Sequence, residues 1–228
     1  MITVETIRER HSVREYDGEP LAQVEFDALG AVVEECARES GLDIQLVGDN
    51  PEVFNMIARF SLIRGCRTHV AFVVDDAKAS ADEAIGYWGQ KIVLAAQDMG
   101  LNTCWCALCS RKKSRAVVAP GKKVRLVIAV GHGKTHGFSR KTKSAEALSA
   151  VECANTLAWF AVAMEAAQLA PTAMNNQNFK ITLLRDGKTV RIEAPQSGLN
   201  MIDKGIVRRN FEIAANEAGA DWCWEREL

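Results

Sequence analysis

The chain has 228 residues, of which 48% are hydrophobic and 25% are charged, enough for a substantial core in one large domain or two small ones. A formal net charge of -1 excludes a global attraction to nucleic acid or to anionic lipid. The amino-terminal segment lacks the apolar core of a signal peptide, and no apolar run approaches the roughly 18 residues of a membrane helix. Seven cysteines, an odd number, favour reduced thiols, so we expect a cytoplasmic protein.

Hydrophobic periodicity predicts helices and strands along the first part of the chain. A mostly apolar stretch with helical spacing is followed by Gly100, a typical helix stop, and the polar segment Gly131–Ser144 predicts a loop. In chain order we expect helices at Val4–Arg10, Val24–Glu39 and Ala84–Met99, and strands at Leu42–Val47, His69–Val74 and Val124–Val130.

The pattern restarts after a predicted linker near Ala145–Asn155. A helix predicted at Thr156–Leu169 leads into a polar loop. The loop is followed by a predicted hairpin, with strands Phe179–Leu184 and Thr189–Glu193 joined by the turn Arg-Asp-Gly-Lys. The last predicted helix covers Gly205–Ala218.

Two segments of the chain are similar to each other. Residues 86–105 align without gaps over residues 205–224, and both begin with glycine, contain an Ala-Ala pair and end in Cys-Trp. This match, with a weaker one between the preceding helices, predicts two related parts, 1–150 and 151–228. A chance match between alanine-rich helices is the alternative, and the coinciding Gly and Cys-Trp positions argue against it.

A dense group of donors lies near the amino terminus. The run Arg10-His11-Ser12-Val13-Arg14 holds two guanidiniums, an imidazole and a hydroxyl, and the forked donors of arginine suit phosphate oxygens. Taken alone, this run fits a solvated helix end with surface arginines better than a binding site.

Two further segments have groups suited to a flat ligand. Residues 170–177, APTAMNNQ, combine a proline helix stop with side-chain amides that each carry a donor and an acceptor. Residues 100–108, GLNTCWCAL, form a small, mostly neutral segment that can bring backbone amides close to a ring. A polar loop with Asx turns and ordinary core packing are the respective alternatives.

Together these three segments resemble the FMN-dependent nitroreductase family, over nearly the whole chain. Its members carry an Arg-x-Ser-x-Arg stretch near the amino terminus, a Pro-Ser-x-x-Asn-x-Gln loop and a Gly-Leu-x-Thr-x-Trp segment. The ordinary family places the loop soon after the first stretch, where this chain has Glu39-Ser40-Gly41, and here the loop comes much later. A subgroup of nitroreductases built from tandem halves is similar in this respect.

The resemblance implies a mixed α+β fold with a mainly antiparallel sheet and surrounding helices. Ordinary nitroreductases are dimers with flavin sites made from both subunits, so two related halves in one chain would form a pseudo-dimer. We expect a pseudo-dimeric monomer, with a homodimer as the alternative. The implied activity is ping-pong reduction of nitroaromatics, quinones or similar electron-poor small molecules by NADH or NADPH through FMN, which requires no catalytic side chain.

The resemblance also implies a set of FMN-binding residues. Arg10 and Ser12 would hold the phosphate, and His11 would lie near the ribityl-phosphate. Arg14 would approach the pyrimidine edge, where a cation stabilises reduced flavin. The remaining implied contacts are Pro171, Thr172, Ala173, Asn175 and Gln177 along the ribityl chain and ring, Met174 nearby, Cys106, Ala107 and Leu108 beside N5 and O4, and Arg140 as a second phosphate-binding cation.

Two departures from the family pattern motivate another function. Asn178-Phe179 stands where the family often has Pro-Trp, and Ala107-Leu108 replaces the usual Gly-Gly pair. The alternative is a degenerate, non-catalytic flavin-binding protein that serves storage, sensing or a partner interaction.

The cysteines and a basic run offer weaker alternatives. Cys104-x-Cys106-x-x-Cys109 could supply thiolates to a metal or an iron–sulfur cluster, but a clear second pair is missing, and buried free thiols explain the run more simply. The basic run at residues 111–115 could contact nucleic acid, although a solvated turn fits the net charge better. We therefore expect neither a metal nor a nucleic-acid partner.

Overall fold

The structure, a computed structural model, describes residues 2–54, 63–75, 81–153, 157–196 and 198–226. Its α-helices are α1 (Val4–Glu9), α2 (Gln23–Ser40), α3 (Asp82–Asp98), α4 (Ala145–Leu148), α5 (Ala158–Gln168) and α6 (Asn200–Glu217). Its strands are β1 (Asp43–Val47), β2 (Thr68–Asp75), β3 (Asn102–Cys106), β4 (Lys122–Gly131), β5 (Ser149–Val151), β6 (Lys180–Leu183), β7 (Thr189–Glu193) and β8 (Cys223–Trp224).

The contacts divide the chain into two compact units. Unit 1 comprises Met1–Arg8, Asp82–Gln90 and Arg140–Leu228, and unit 2 comprises Glu9–Ala81 and Lys91–Ser139. Each unit contains one of the two four-stranded sheets found in the described residues. The two related halves predicted at 1–150 and 151–228 stay a prediction.

The sheet of unit 2 has the strand order β1-β2-β4-β3, and every neighbouring pair is antiparallel. Strand β2 is buried along nearly its whole length, since Val70 and Ala71 are fully buried and Phe72 is 1% exposed. Helix α2 packs against β1. Burial of both faces of β2 explains why its sequence is a continuous apolar run rather than an alternating one.

The sheet of unit 1 has the order β5-β6-β7-β8. Strands β6 and β7 form an antiparallel hairpin, whereas β5 and β8 are parallel to their neighbours. Helices α5 and α6 pack together, and the rings of Phe160 and Phe211 are 5.8 Å apart. Phe211 also contacts Trp222 and Trp224, so the chain after α6 closes this aromatic core.

Helix α6 passes very close to the first turns of α3 within unit 1. A Cβ atom placed on Gly86 would overlap the carbonyl of Ile202, and one placed on Gly205 would overlap the carbonyl of Glu83. Glycine at both positions therefore permits backbone-to-backbone contact between the two helices.

The predicted fold class is confirmed, since helices surround sheets that are mainly antiparallel. The predicted helices α1, α2 and α3 and the predicted hairpin are also found, and α3 ends before Gly100, which has a left-handed φ of 79°. The proposed start of another helix at Thr156 lies outside the described residues.

Several local predictions were wrong. The linker at 145–155 contains α4 and β5, because β5 gains backbone hydrogen bonds from β6 that its own sequence does not signal. Helix α6 begins at Asn200 rather than at Gly205, since Asp203 and Lys204 are buried polar residues that interrupt the apolar pattern. Strand β3 was not predicted within the small, mostly neutral segment at 100–108, and the predicted loop at 131–144 begins one residue later because Gly131 ends β4.

Among the described residues, none of the helices combines the length and the apolar sequence that a bilayer-spanning helix requires.

Candidate functional site

The amino-terminal donor segment lies beside β3 in unit 2. Val13 N donates to Thr103 O at 3.0 Å, and Ser12 forms a parallel bridge with Thr103. Val13 is 1% exposed and packs in the core. Because successive side chains of an extended segment point to opposite sides, Ser12 and Arg14 share the side away from that core.

Ser12 and Arg14 retain donors for a ligand. Arg14 Nη1 donates to Ser12 O at 3.3 Å, and the guanidinium makes no other hydrogen bond within the described part of the chain. The Ser12 hydroxyl forms none with the residues that the structure describes. A hydroxyl and a forked cation on one side of an extended segment form a donor set that fits a phosphorylated ligand such as FMN.

Arg10 brings a second cation into the same segment. Its side chain is almost completely buried, and this burial lowers the pKa of the guanidinium to about 10, an effect partly offset by Cys104. The group therefore stays protonated at neutral pH. A charge held in a dry environment interacts strongly with an anion, since water screens it little.

His11 is oriented by hydrogen bonds at both ring nitrogens. Nδ1 lies 2.9 Å from Glu9 O, and Nε2 lies 3.1 Å from Ser139 Oγ. Gly137 packs against His11 so closely that a Cβ atom at this glycine would lie 2.8 Å from His11 Cβ, and its φ is 76°. The loop at 132–139 thus fixes the imidazole in place.

The end of β3 adds the next predicted residues. Cys106 pairs with Val127 and is 5% exposed, Ala107 is half-buried, and Leu108 is 67% exposed. The neighbouring Cys109 and burial raise the pKa of Cys106, and the charge of nearby Arg14 partly offsets this rise. The structure therefore brings the amino-terminal segment and the end of β3 together in unit 2.

The polar loop of unit 1 has an unusual backbone. Met174, Asn175 and Gln177 have φ values of 53°, 57° and 47°. Non-glycine residues rarely adopt this left-handed region, although asparagine tolerates it better than most. Such conformations persist where the surrounding structure enforces them, and they concentrate at functional sites.

The amides of this loop hold it against residues 141–143. Gln177 is 2% exposed; its Oε1 accepts from Lys143 N at 2.7 Å and its Nε2 donates to Gln168 O at 3.1 Å. Asn175 Nδ2 donates to Lys141 O at 2.9 Å. Both side chains thus have an architectural role, and their predicted contacts with FMN stay a prediction.

The other predicted residues of unit 1 differ in exposure. Pro171, Thr172 and Ala173 are partly buried, Met174 is 89% exposed, and Arg140 is exposed. Thr172 Oγ1 accepts a hydrogen bond from Gln177 N at 3.1 Å, which ties the start of the loop to its end.

The sequence did not identify Asp203, which supports this loop from α6. Ala173 N lies 3.0 Å from both carboxylate oxygens. Burial raises the pKa of Asp203 to about 6, and the hydrogen bond from Ala173 partly offsets this shift. The available signal was an acidic residue in the first turn of a helix, which the predicted start at Gly205 hid.

The predicted residues thus form two sets, one in each unit. The first is Arg10, His11, Ser12, Arg14 and Cys106–Leu108 in unit 2, and the second is Arg140 and Pro171–Gln177 in unit 1. That the two sets form one FMN site stays a prediction. Within the described residues, no three His, Cys, Asp or Glu side chains gather in a way that could hold a metal ion.

Comparison with known proteins identifies relatives of this chain. A family model described as "Putative TM nitroreductase" matches residues 2–215. A search of curated protein sequences found no match. Among solved structures, a putative nitroreductase from Thermotoga maritima is similar, with 21% identity, a TM-score of 0.62, and coverage of 96% of this chain and 85% of that chain.

Two shorter proteins are also similar to part of the chain. A putative NADH dehydrogenase/NAD(P)H nitroreductase from Parabacteroides distasonis has 22% identity and a TM-score of 0.49, covering 63% of this chain and 94% of that one. A putative nitroreductase in complex with FMN from Desulfovibrio desulfuricans has 19% identity and a TM-score of 0.48, covering 64% and 94%. Because the family model matches nearly the full length, this chain belongs to the "Putative TM nitroreductase" family.

Proposed function

We propose that this protein is an FMN-dependent oxidoreductase that uses NADH or NADPH to reduce nitroaromatics, quinones or similar electron-poor small molecules. The observation that carries the proposal is the placement of Ser12 and Arg14 on one side of the segment beside β3, with donors available to a phosphorylated ligand. Membership in a nitroreductase family supports the same conclusion.

Each residue has a distinct proposed role. Arg10 and Ser12 hold the phosphate, and Arg14 places positive charge at the pyrimidine edge of the ring. When bound, FMN supplies hydride transfer between a nicotinamide and an electron-poor acceptor. The protein contributes position and charge, so no side chain is required as a nucleophile or a general base.

We also propose that the chain consists of two related halves. Gly86 and Gly205 stand 119 positions apart, and so do Glu83 and Ile202. The close contacts pair Gly86 with Ile202 and Gly205 with Glu83, so equivalent residues exchange equivalent contacts. This reciprocity is typical of two copies related by a two-fold axis, and it supports a pseudo-dimeric origin.

The experiment that tests the proposed activity is an absorption spectrum after FMN addition and desalting, repeated anaerobically with NADH or NADPH. We expect a retained flavin band that bleaches with the nicotinamide and recovers with a quinone or a nitroaromatic. A flavin that is retained but never bleached would favour the non-catalytic alternative. A spectrum without flavin would contradict both.

A pair of variants tests the role assigned to Arg14. Arg14→Gln removes the cation and its fork, and we expect FMN affinity to fall about tenfold or more, since hydrogen bonds to charged groups contribute roughly 1.5–3 kcal/mol. Arg38→Gln, on the exposed surface of α2, removes the same charge away from the segment and should leave the affinity unchanged. Equal affinities in a fluorescence titration of the two variants would remove Arg14 from the proposed site.

A further inference from the structure

A Cys-x-x-Cys arrangement lies at the end of β3. Cys106 is the last residue of the strand, and Cys109 follows three positions later. Cys109 Sγ donates to Cys106 O at 3.7 Å, and Cys106 Sγ donates to Leu108 O at 3.4 Å, so a short turn brings the second cysteine back beside the first. Both thiols are free in the structure.

The chain on both sides of the turn is anchored. Cys106 belongs to the β3–β4 ladder through Val127, and Ser110 N donates to Val53 O at 2.8 Å. Arg111 N donates to Cys109 O at 2.9 Å, and its guanidinium donates to Arg125 O at 2.6 Å. These contacts anchor the turn on both sides and keep Cys109 beside Cys106, which favours closure of a disulfide over reaction of either thiol alone.

The two thiols differ in acidity and access. The neighbouring Cys106 lowers the pKa of Cys109, and the charge of Arg111 acts in the same direction against burial. The neighbouring Cys109, with burial, raises the pKa of Cys106. Cys109 is partly exposed whereas Cys106 is buried. Cys109 thus has the properties of an attacking thiolate and Cys106 those of a resolving thiol.

Two other cysteines provide a contrast. Burial raises the pKa of Cys66 to about 12, which makes this thiol unreactive. Cys223 is exposed, and its Sγ lies 3.9 Å from the Thr189 hydroxyl. Cys66 lacks the access that Cys109 has, and Cys223 lacks its Cys-x-x-Cys arrangement.

We propose that Cys106 and Cys109 form a redox-active dithiol that is reversibly oxidised to a disulfide by low-molecular-weight disulfides. In the first step the Cys109 thiolate attacks one sulfur of the small disulfide, forming a mixed disulfide and releasing one thiolate. In the second step Cys106 gives up its proton and its sulfur attacks Cys109 Sγ, the Cys106–Cys109 bond forms, and the second small thiolate leaves and is protonated. The protein loses two protons and two electrons, and the small disulfide gains them and becomes two thiols. This reaction requires no flavin, so it stands apart from the proposed function.

The test uses the full-length protein with oxidised glutathione as the probe at about pH 7. After exposure, free thiols are blocked with N-ethylmaleimide and the protein is digested with trypsin. Cleavage after Lys91 and Arg111 gives peptide 92–111, which contains Cys104, Cys106 and Cys109. We expect a disulfide between Cys106 and Cys109, which lowers the mass of this peptide by two hydrogens. The third thiol should carry one N-ethylmaleimide, which fragmentation should assign to Cys104. Reduced glutathione should restore all three thiols.

Variants separate the two roles. Cys106→Ser should accumulate glutathione on Cys109, because the resolving thiol is absent, and Cys109→Ser should leave Cys106 reduced. Cys223→Ser is the matched control and should still form the disulfide. In the wild type we expect the disulfide to form about three to ten times faster than glutathione adds to Cys223, because Cys106 and Arg111 lower the pKa of Cys109 and so raise its thiolate fraction.

Two results would overturn the proposal. One is a wild-type peptide 92–111 that keeps all three thiols while the exposed Cys223 becomes glutathionylated. The other is a disulfide from this peptide to Cys104 or to another chain in place of the Cys106–Cys109 bond. The wild-type measurement decides the matter even if a variant fails to fold.

Discussion

Burial and a backbone hydrogen bond shift the pKa of the Asp203 carboxylate in opposite directions. Its pKa rises from 3.8 to about 6 because burial outweighs the donation from Ala173. Between these two pH values the folded protein holds a proton that the unfolded chain has lost. The free energy of unfolding therefore falls as the pH rises through this window. The full destabilisation from ionising the buried carboxylate is present above about pH 6.

The variant Asp203→Asn should remove this pH dependence. It keeps an oxygen that can accept from Ala173 but cannot ionise. We expect the wild type to lose about 2–3 kcal/mol more unfolding free energy than the variant between about pH 4 and pH 7, the value that a shift of this size implies. Urea denaturation at both pH values measures the difference.

Asp186 provides a control of opposite sign. Its pKa is lowered to about 2 by hydrogen bonds from Thr189 and from the backbone. Its contribution to stability is therefore present above its ordinary pKa and is lost as the pH falls towards 2.

If Asp203→Asn and wild type showed parallel stability curves from about pH 4 to pH 7, the buried Asp203 carboxylate would not be the cause of the pH dependence.

The residue scale also shows what a sequence can and cannot reveal about a site. The Arg10–Arg14 run was identifiable because its donors are consecutive, and the structure places Ser12 and Arg14 on one side. Asp203 could not be identified from the sequence, since its importance depends on a contact with Ala173 thirty positions away. The contact of Cys109 Sγ with Cys106 O likewise depends on a turn that composition does not encode.

At the scale of elements, three helical glycines allow opposite predictions. Gly30 lies within α2, where an added Cβ atom would meet its nearest neighbour, Leu46 Cδ2, at an ordinary 3.9 Å. Gly30→Ala should therefore stabilise the protein by about 0.5–1 kcal/mol through helix propensity. Gly86→Ala and Gly205→Ala force a methyl group into the opposite backbone, so each should destabilise by roughly 1–3 kcal/mol or more.

Thermal unfolding of the three single variants tests the crossing of α3 and α6. Because all three changes add the same methyl group to a helix, propensity alone would raise the melting temperature in each case. A fall at Gly86 and Gly205 with a rise at Gly30 identifies the close backbone approach as the cause. A rise in all three would show that the helices can separate without cost.

Element prediction succeeded where a local signal was sufficient. Helix α3 has apolar residues at helical spacing and a glycine stop, and the β6–β7 hairpin has a turn sequence between two strands. Strands β5 and β8 are short edge strands of three and two residues. They form because β6 and β7 offer unpaired backbone groups, and that information lies elsewhere in the chain.

At the scale of the whole molecule, the two sheets share part of their strand arrangement. Strand β1 is antiparallel to β2, as β6 is to β7. The Cys-Trp pair in β3 aligns with the Cys-Trp pair that forms β8. Strand β4 has no counterpart between β7 and β8, which pair directly, and β5 has none beside β1. Under the proposal of two related halves, β4 and β5 are therefore the strands that the halves do not share.

This arrangement leads to a prediction about stoichiometry. Each segment of the proposed site occurs once per chain, whereas a symmetric dimer of ordinary type would hold each twice. We therefore expect a monomer of about 25.0 kDa that binds one FMN per chain. Sedimentation equilibrium gives the mass, and flavin absorbance against protein concentration gives the ratio. A dimer whose FMN is lost on dissociation would instead mean that a second chain completes the site, and the proposal of a self-contained pseudo-dimer would fail.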